Sequence, residues 1–220
     1  MNSAIADNLR HIQDRIRAAQ ARARRDAAPV TLIAVTKSVG LAEIQALSEL
    51  GVEHFAENRV HLAEPKISAF QGRATWHMIG NIQRRKAKDV VRMFQRVDAV
   101  DRMELADELA RRAEELGVTL PILLEVNVSG EDAKHGMDED AVDSALRHIA
   151  RHQSLRVEGV MTMAPFYEEP EGTRPVFRAL RALADRFQLP RVSMGMSNDF
   201  EVAIEEGATE VRIGTALFER

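Results

Sequence analysis

The first stretch of the chain repeats apolar residues at Ile5, Leu9, Ile12, Ile16, Ala19 and Ala23. Spacings of three and four put all six on one stripe, which predicts an amphipathic helix ending before Pro29. The pattern then changes. Short apolar, β-rich runs at residues 30–35, 52–55, 76–79, 97–100, 120–128, 155–161, 192–194 and 210–213 read as strands. Between them, residues 41–50, 60–70, 83–94, 103–116, 141–149, 175–187 and 200–206 carry helical periodicity. Asp101, with Glu104 three residues on, resembles a capping box for the helix over 103–116. Three helix-to-strand joints echo one another: Glu49-Leu50-Gly51-Val52, Glu115-Leu116-Gly117-Val118 and Glu205-Glu206-Gly207-Ala208. Each places glycine where a helix should stop.

Strands that are continuously apolar need cover on both faces, as parallel strands have. Eight of them alternating with helices close into an α/β fold, a single (β/α)8 TIM-type barrel with an extra N-terminal helix. An open doubly wound sheet is the alternative. At 220 residues, with no linker or low-complexity run, the chain reads as one domain over 1–220. Its 45% hydrophobic and 29% charged residues, well mixed, exclude disorder. No apolar run reaches the roughly 18–20 residues of a membrane span. The polar start lacks a signal-peptide core, so the expectation is a cytoplasmic protein. Zero cysteines exclude disulfides, thiolate metal sites and a cysteine nucleophile. A net charge of −4 argues against a dedicated nucleic-acid binder.

Lysine usage sharpens the picture. Of 30 basic residues only five are lysines (Lys37, Lys66, Lys86, Lys88 and Lys134), the rest being arginines. In a TIM-type barrel chemistry gathers at the C-terminal strand ends, often with a phosphate site after strands seven and eight. Lys37 ends the first strand, behind apolar and β-branched residues that should wall in its stem. Such walls disfavour an ammonium, and a partly neutral amine attacks a carbonyl to form an imine. A lysine that snorkels to the mouth, or pairs with Glu57 or Glu125, is the structural alternative. The turns Met194-Gly195-Met196-Ser197-Asn198 and Arg212-Ile213-Gly214-Thr215 each precede a helix start, where free backbone N–H groups favour an anion. An amine and a phosphate cup at one mouth suit a phosphorylated aldehyde, either pyridoxal 5′-phosphate (PLP) or the substrate of a Schiff-base aldolase.

Seven stretches spread along nearly the whole chain carry a resemblance. They are Ala34-Val35-Thr36-Lys37, Glu57-Asn58-Arg59-Val60, Trp76-His77-Met78-Ile79-Gly80-Asn81-Ile82-Gln83, Val126-Asn127-Val128-Ser129, Gly159-Val160-Met161, Ser193-Met194-Gly195-Met196-Ser197 and Val211-Arg212-Ile213-Gly214-Thr215. Together they resemble the pyridoxal phosphate homeostasis family, relatives of the N-terminal barrel of alanine racemase. The resemblance implies that Lys37 carries PLP as a Schiff base and that Ser197, Gly214 and Thr215 hold its phosphate. It further implies that Arg212 faces the pyridine nitrogen, that Asn58 and His77 line the ring pocket, and that Met194 lies at the cofactor. Ala56 stands where the family often has glycine, and the chain stops soon after Phe218, without the longer tail of some members. A cation beside the pyridine nitrogen disfavours its protonation and weakens carbanion chemistry. Racemase relatives add a tyrosine from a second domain, whereas Tyr167, the single tyrosine here, lies in an acidic loop. The expected role is therefore PLP binding, buffering and delivery, with PLP-dependent apo-enzymes as partners, in a monomer without robust turnover. A slow racemase using His77 at the mouth is the enzymatic alternative.

Other features read plainly. His148 and His152 make a four-residue pair with no third ligand placed, and so a solvated face. Arg84-Arg85-Lys86-Ala87-Lys88 reads as a solvated helix face paired to Asp89, with protein or nucleic-acid docking the weaker alternative. Arg15, Arg17, Arg22, Arg24 and Arg25 face solvent on the first helix. Trp76 belongs to the core, and Met161, Met163, Met194 and Met196 pack around the mouth.

Overall fold

The computed structural model describes residues 2–24, 29–131 and 135–219, so Arg25 and Lys134 lie outside the described residues. Eight parallel strands close a barrel in chain order. They are β1 (Thr31–Val35), β2 (His54–Glu57), β3 (Thr75–Met78), β4 (Arg96–Val100), β5 (Leu120–Glu125), β6 (Leu155–Met161), β7 (Arg191–Ser193) and β8 (Glu210–Ile213). β1 seals onto β8 from Thr31 against Glu210 to Ala34 against Ile213, which excludes the open sheet. Around the strands lie α1 (Asn2–Arg22), α2 (Leu41–Glu49), α3 (Val60–Ala69), α4 (Ala87–Met93), α5 (Met103–Glu115), α6 (Val142–Ile149), α7 (Arg174–Arg186), α8 (Phe200–Glu205) and α9 (Thr215–Phe218).

The extra helix α1 buries Ile5, Leu9, Ile12, Ile16 and Ala19 and packs against α2, α8 and α9. Arg15 and Arg22 fasten it to Glu201 at 2.6 and 2.7 Å. The helix ends at Arg22, one residue before Ala23, the last member of the predicted stripe. The repeated joints end their helices as expected, with Gly51, Gly117 and Gly207 at φ of +89°, +64° and +100°. The expected capping box is absent. Arg102 is the N-cap of α5 and Asp101 accepts a hydrogen bond from Arg102 instead. β5 stops at Glu125, three residues short of its predicted end, and the one-turn helix α9 went unpredicted. Among the described residues no helix is long and apolar enough to cross a membrane.

Strand alternation sorts side chains into two cores. Outward-facing Phe55, Trp76, Val97, Ile122 and Val192 join the helices in one large cluster. Trp76 stacks against Phe55 with ring centroids 5.4 Å apart. The barrel interior holds only small apolar groups, Ile33 with Val35 and Ala56, and Ala99 with Leu123 and Met161. The rest of the interior is ionic. Arg96 makes two hydrogen bonds to Asp98 at 2.6 and 3.0 Å and reaches Glu210 at 2.8 Å. Arg191 bonds Glu210 at 2.8 Å and Glu158 at 3.0 Å.

Candidate functional site

The mouth is assembled from the loops after β1, β2, β7 and β8. β1 delivers buried Thr36 and then Lys37, which is exposed rather than walled in. The apolar strand ends one residue too early to enclose the lysine stem. Neither Glu57 nor Glu125 pairs with Lys37, because a different lysine takes Glu57. Lys66, from α3, donates to Glu57 Oε1 and to the Thr36 carbonyl, both at 2.8 Å. Thr36 Oγ1 donates to the same Glu57 oxygen at 2.6 Å. Glu57 is fully buried, and its other oxygen, Oε2, has no hydrogen-bond partner. The Lys66–Glu57 pair thus anchors the residue preceding Lys37 and leaves Lys37 without an ion-pair partner among the described residues. Sequence reasoning missed this role of Lys66, although the scarcity of lysines singled it out.

Across the mouth, β7 and β8 build a cup of donors. Ser197 Oγ accepts hydrogen bonds from the backbone N–H of Gly214 at 3.3 Å and of Ala216 at 3.4 Å. Both contacts are long for hydrogen bonds, near the outer limit of the range. Gly195 turns the β7 loop at φ +90°, and a Cβ there would lie 2.5 Å from Ala203 Cβ. Asp199 accepts the Met196 N–H at 2.6 Å and fixes the same loop. Burial pushes its carboxyl above the ordinary range, with the Met196 bond pulling the other way. Ser197 is half-buried and Thr215 exposed, so both hydroxyls border the cup.

Arg212 lies on the inward face of β8 and is buried. Its guanidinium donates to Ser193 Oγ and to the Thr162 carbonyl, both at 2.8 Å. Burial pushes it below the usual arginine value, while Asp98 and Glu125 pull it back. It stays a cation. Glu125, at the end of β5, is raised by burial and by nearby Asp101, with Arg212 opposing.

Two predicted site residues sit elsewhere than expected. Since Ser193 points inward, the pleat turns Met194 outward, and its side chain is fully buried in the helix-facing core. His77 lies inside the barrel rather than at its mouth. Its Nδ1 pairs with Asp98 at 3.0 Å and its Nε2 with His54 Nδ1 at 2.9 Å. Both ring nitrogens are committed to protein groups. Burial works against the Asp98 charge, but His77 and Arg96 hold its carboxyl well below the usual range. Burial first, then His77 and Arg96, push His54 below its ordinary value.

Asn58 is half-buried where β2 leaves the sheet, and Gly80 packs so closely that a Cβ would lie 2.2 Å from the Asn58 carbonyl oxygen. Beside it opens a cavity of about 340 Å³ lined by Asn58, Arg59, His61, Asn81, Arg85 and Lys86 among others. Arg85 bonds Gln83 and Lys86 reaches Asp89 at 3.4 Å, so this basic face is solvated and paired as expected. The lone Tyr167 packs its ring on Gly172 and gives its carbonyl to Asn198 at 3.4 Å. Lys37, Asn58, Ser197, Gly214 and Thr215 thus all follow C-terminal strand ends on one side of the barrel, with Arg212 buried on β8.

Comparison with known proteins identifies the fold and the family. Residues 7–219 match the family model described as "Alanine racemase, N-terminal domain". A relative from Aquifex aeolicus (strain VF5), named pyridoxal phosphate homeostasis protein, is 38% identical over 219 residues, covering 96% of each chain. A solved structure of an unknown protein from Bifidobacterium adolescentis superposes with a TM-score of 0.91 at 32% identity, covering 99% of this chain and 95% of that one. PipY of Synechococcus elongatus PCC7942, solved with PLP bound, gives a TM-score of 0.81 at 34% identity over 92% of this chain and 99% of its own. The chain belongs to the pyridoxal phosphate homeostasis protein family, within the wider family of alanine racemase N-terminal domains.

Proposed function

We propose that the barrel mouth binds PLP through Lys37 and that the protein serves PLP homeostasis, holding and releasing the cofactor rather than turning substrates over. One observation carries this reading: an unpaired, exposed amine after β1 shares the mouth with backbone N–H donors gathered on Ser197. PLP supplies an aldehyde that an amine captures as a Schiff base, and a phosphate that accepts hydrogen bonds. Lys37 is the covalent anchor. Ser197 and the N–H groups of Gly214 and Ala216, with the Thr215 hydroxyl, receive the phosphate. Arg212 is the cation at the ring, and Asn58 flanks it. Met194 contributes main chain only, and His77 supports the floor of the site through Asp98. The PLP-bound PipY relative and the name of the Aquifex relative support the same assignment.

Little turnover is expected. A persistent cation at the ring disfavours protonation of the pyridine nitrogen, which makes the ring a poor electron sink. His77 has both nitrogens engaged and is not free to move a proton at the mouth. We extend the proposal to a monomer in which residues 1–220 form one PLP-binding domain. It would work in the cytoplasm, where a cysteine-free chain is at home, and pass PLP to apo-enzymes that depend on it.

Absorption spectra of the protein with and without PLP test the assignment. Wild type is expected to turn yellow and Lys37→Ala to stay colourless. Borohydride reduction should place a pyridoxyl adduct on the peptide containing Lys37. Equal colour in both proteins, or an adduct confined to another lysine, would refute it.

A further inference from the structure

We propose that Asp107, His148 and His152 form a binding site for a divalent transition-metal ion on the outer helical layer, sharing no residue with the mouth. His148 lies in the last turn of α6, and His152 follows four residues later. The fold supplies the third ligand that the sequence does not place. Asp107, on α5, sets its Oδ1 2.6 Å from His148 Nε2 and 2.9 Å from His152 Nε2. All three ligand atoms lie within 4.8 Å of one another.

Both Nε2 atoms meet Oδ1 of Asp107, which draws two imidazole nitrogens and a carboxylate oxygen from two helical segments into one cluster. The rings stand at 61° with centroids 5.7 Å apart, both edges turned to Asp107. Ligand atoms at about 2.0–2.1 Å from a tetrahedral zinc ion lie roughly 3.3 Å from one another. Small swings of three side chains reach that spacing, and partial exposure leaves them room: 32% for His148, 30% for His152 and 48% for Asp107.

Two imidazole nitrogens and one carboxylate oxygen suit zinc, cobalt or nickel better than magnesium or calcium, which prefer oxygen sets. The fourth position is open to water. A bound ion would replace two hydrogen bonds with coordination bonds and tie α5 to the end of α6.

The test is calorimetric titration of the untagged protein with Zn²⁺, joined by Co²⁺ absorption, which reports tetrahedral coordination directly. Wild type is expected to take up one ion per chain with micromolar affinity and to gain melting temperature with Zn²⁺. Asp107→Asn is expected to weaken binding by about tenfold or more, and His148→Ala/His152→Ala to remove the Co²⁺ spectrum. His11→Ala, on α1, should bind as wild type does. No uptake by wild type, or unchanged uptake by the double variant, would overturn the proposal.

Discussion

Replacing Lys66 by methionine separates the anchoring of Lys37 from its chemistry. Lys66 is the cation partner of Glu57, at 2.8 Å, and the two side chains are 15% and 0% exposed. Removing one partner of a buried ion pair costs about 3–5 kcal/mol, because the other charge stays buried and uncompensated. The partial exposure of Lys66 puts Lys66→Met at the lower end, about 3 kcal/mol. Chains of this size lose roughly 2 °C in melting temperature per kcal/mol, so a fall of about 6 °C is expected by calorimetry. The functional consequence is separate. With Lys66 gone, the Glu57 carboxylate lies beside Thr36 and competes with PLP for Lys37, so PLP occupancy measured by absorption should fall. Lys66→Met/Glu57→Gln removes both charges and should recover most of the stability and the colour. A Lys66→Met protein that melts within 1 °C of wild type and binds PLP equally would refute the anchoring argument.

Three further outcomes follow. Arg96→Met leaves Asp98 with His77 and Glu210 with Arg191 as remaining partners, since Arg96 is 5% exposed and bonded to both; a loss of about 3 kcal/mol is expected, read as a lower denaturant midpoint. His54 has a folded pKa below its unfolded value of about 6.5, so the unfolded chain binds more protons between the two. Its contribution to stability is therefore full above about pH 6.5 and is lost as pH falls toward the folded value. His54→Gln should lose less melting temperature than wild type between about pH 7.5 and 5.5, and equal losses would count against the assignment. Gly195→Ala must relieve a 2.5 Å clash with Ala203 Cβ at φ +90°, which shifts the loop that aims Ser197. PLP binding by equilibrium dialysis should weaken about tenfold or more while the far-ultraviolet circular dichroism stays native.

Most of the fold was legible because the two periodicities are clean. The stripe from Ile5 to Ala19 and the glycines at 51, 117 and 207 name their own elements. What was harder to read is which way each strand residue faces. Arg96-Val97-Asp98 and Glu210-Val211-Arg212 alternate charge with apolar residues, a period-two signal of a polar interior that lies hidden within runs otherwise taken as apolar. The same parity turns Met194 outward once Ser193 is known to face in. His77 was drawn to the mouth by its place near a strand end, whereas its partners Asp98 and His54 come from neighbouring strands, contacts that register sets and sequence spacing does not. The Lys66–Glu57 pair and the Asp107 contacts to His148 and His152 are hidden for the same reason, each joining groups from two elements.

The ionic interior also bears on why this barrel suits a holder of PLP. Buried ion pairs contribute little net stability compared with apolar packing, and position is what they can fix. Arg96 spans the interior from β4 to Glu210 on β8, and Arg191 binds the same carboxylate from β7. Two residues beyond Glu210 stands Arg212, and two further on Gly214, whose N–H points at Ser197. The network therefore fixes the register of the strand that carries both Arg212 and Gly214. Opposite it, the Lys66–Glu57 pair fixes the residue before Lys37. Among the described residues Lys66, Glu57, Asp199 and Arg212 are each bonded to another protein group, whereas Lys37 has no ion-pair partner. A site built so is stiff where it receives a ligand, which suits a protein that holds the cofactor.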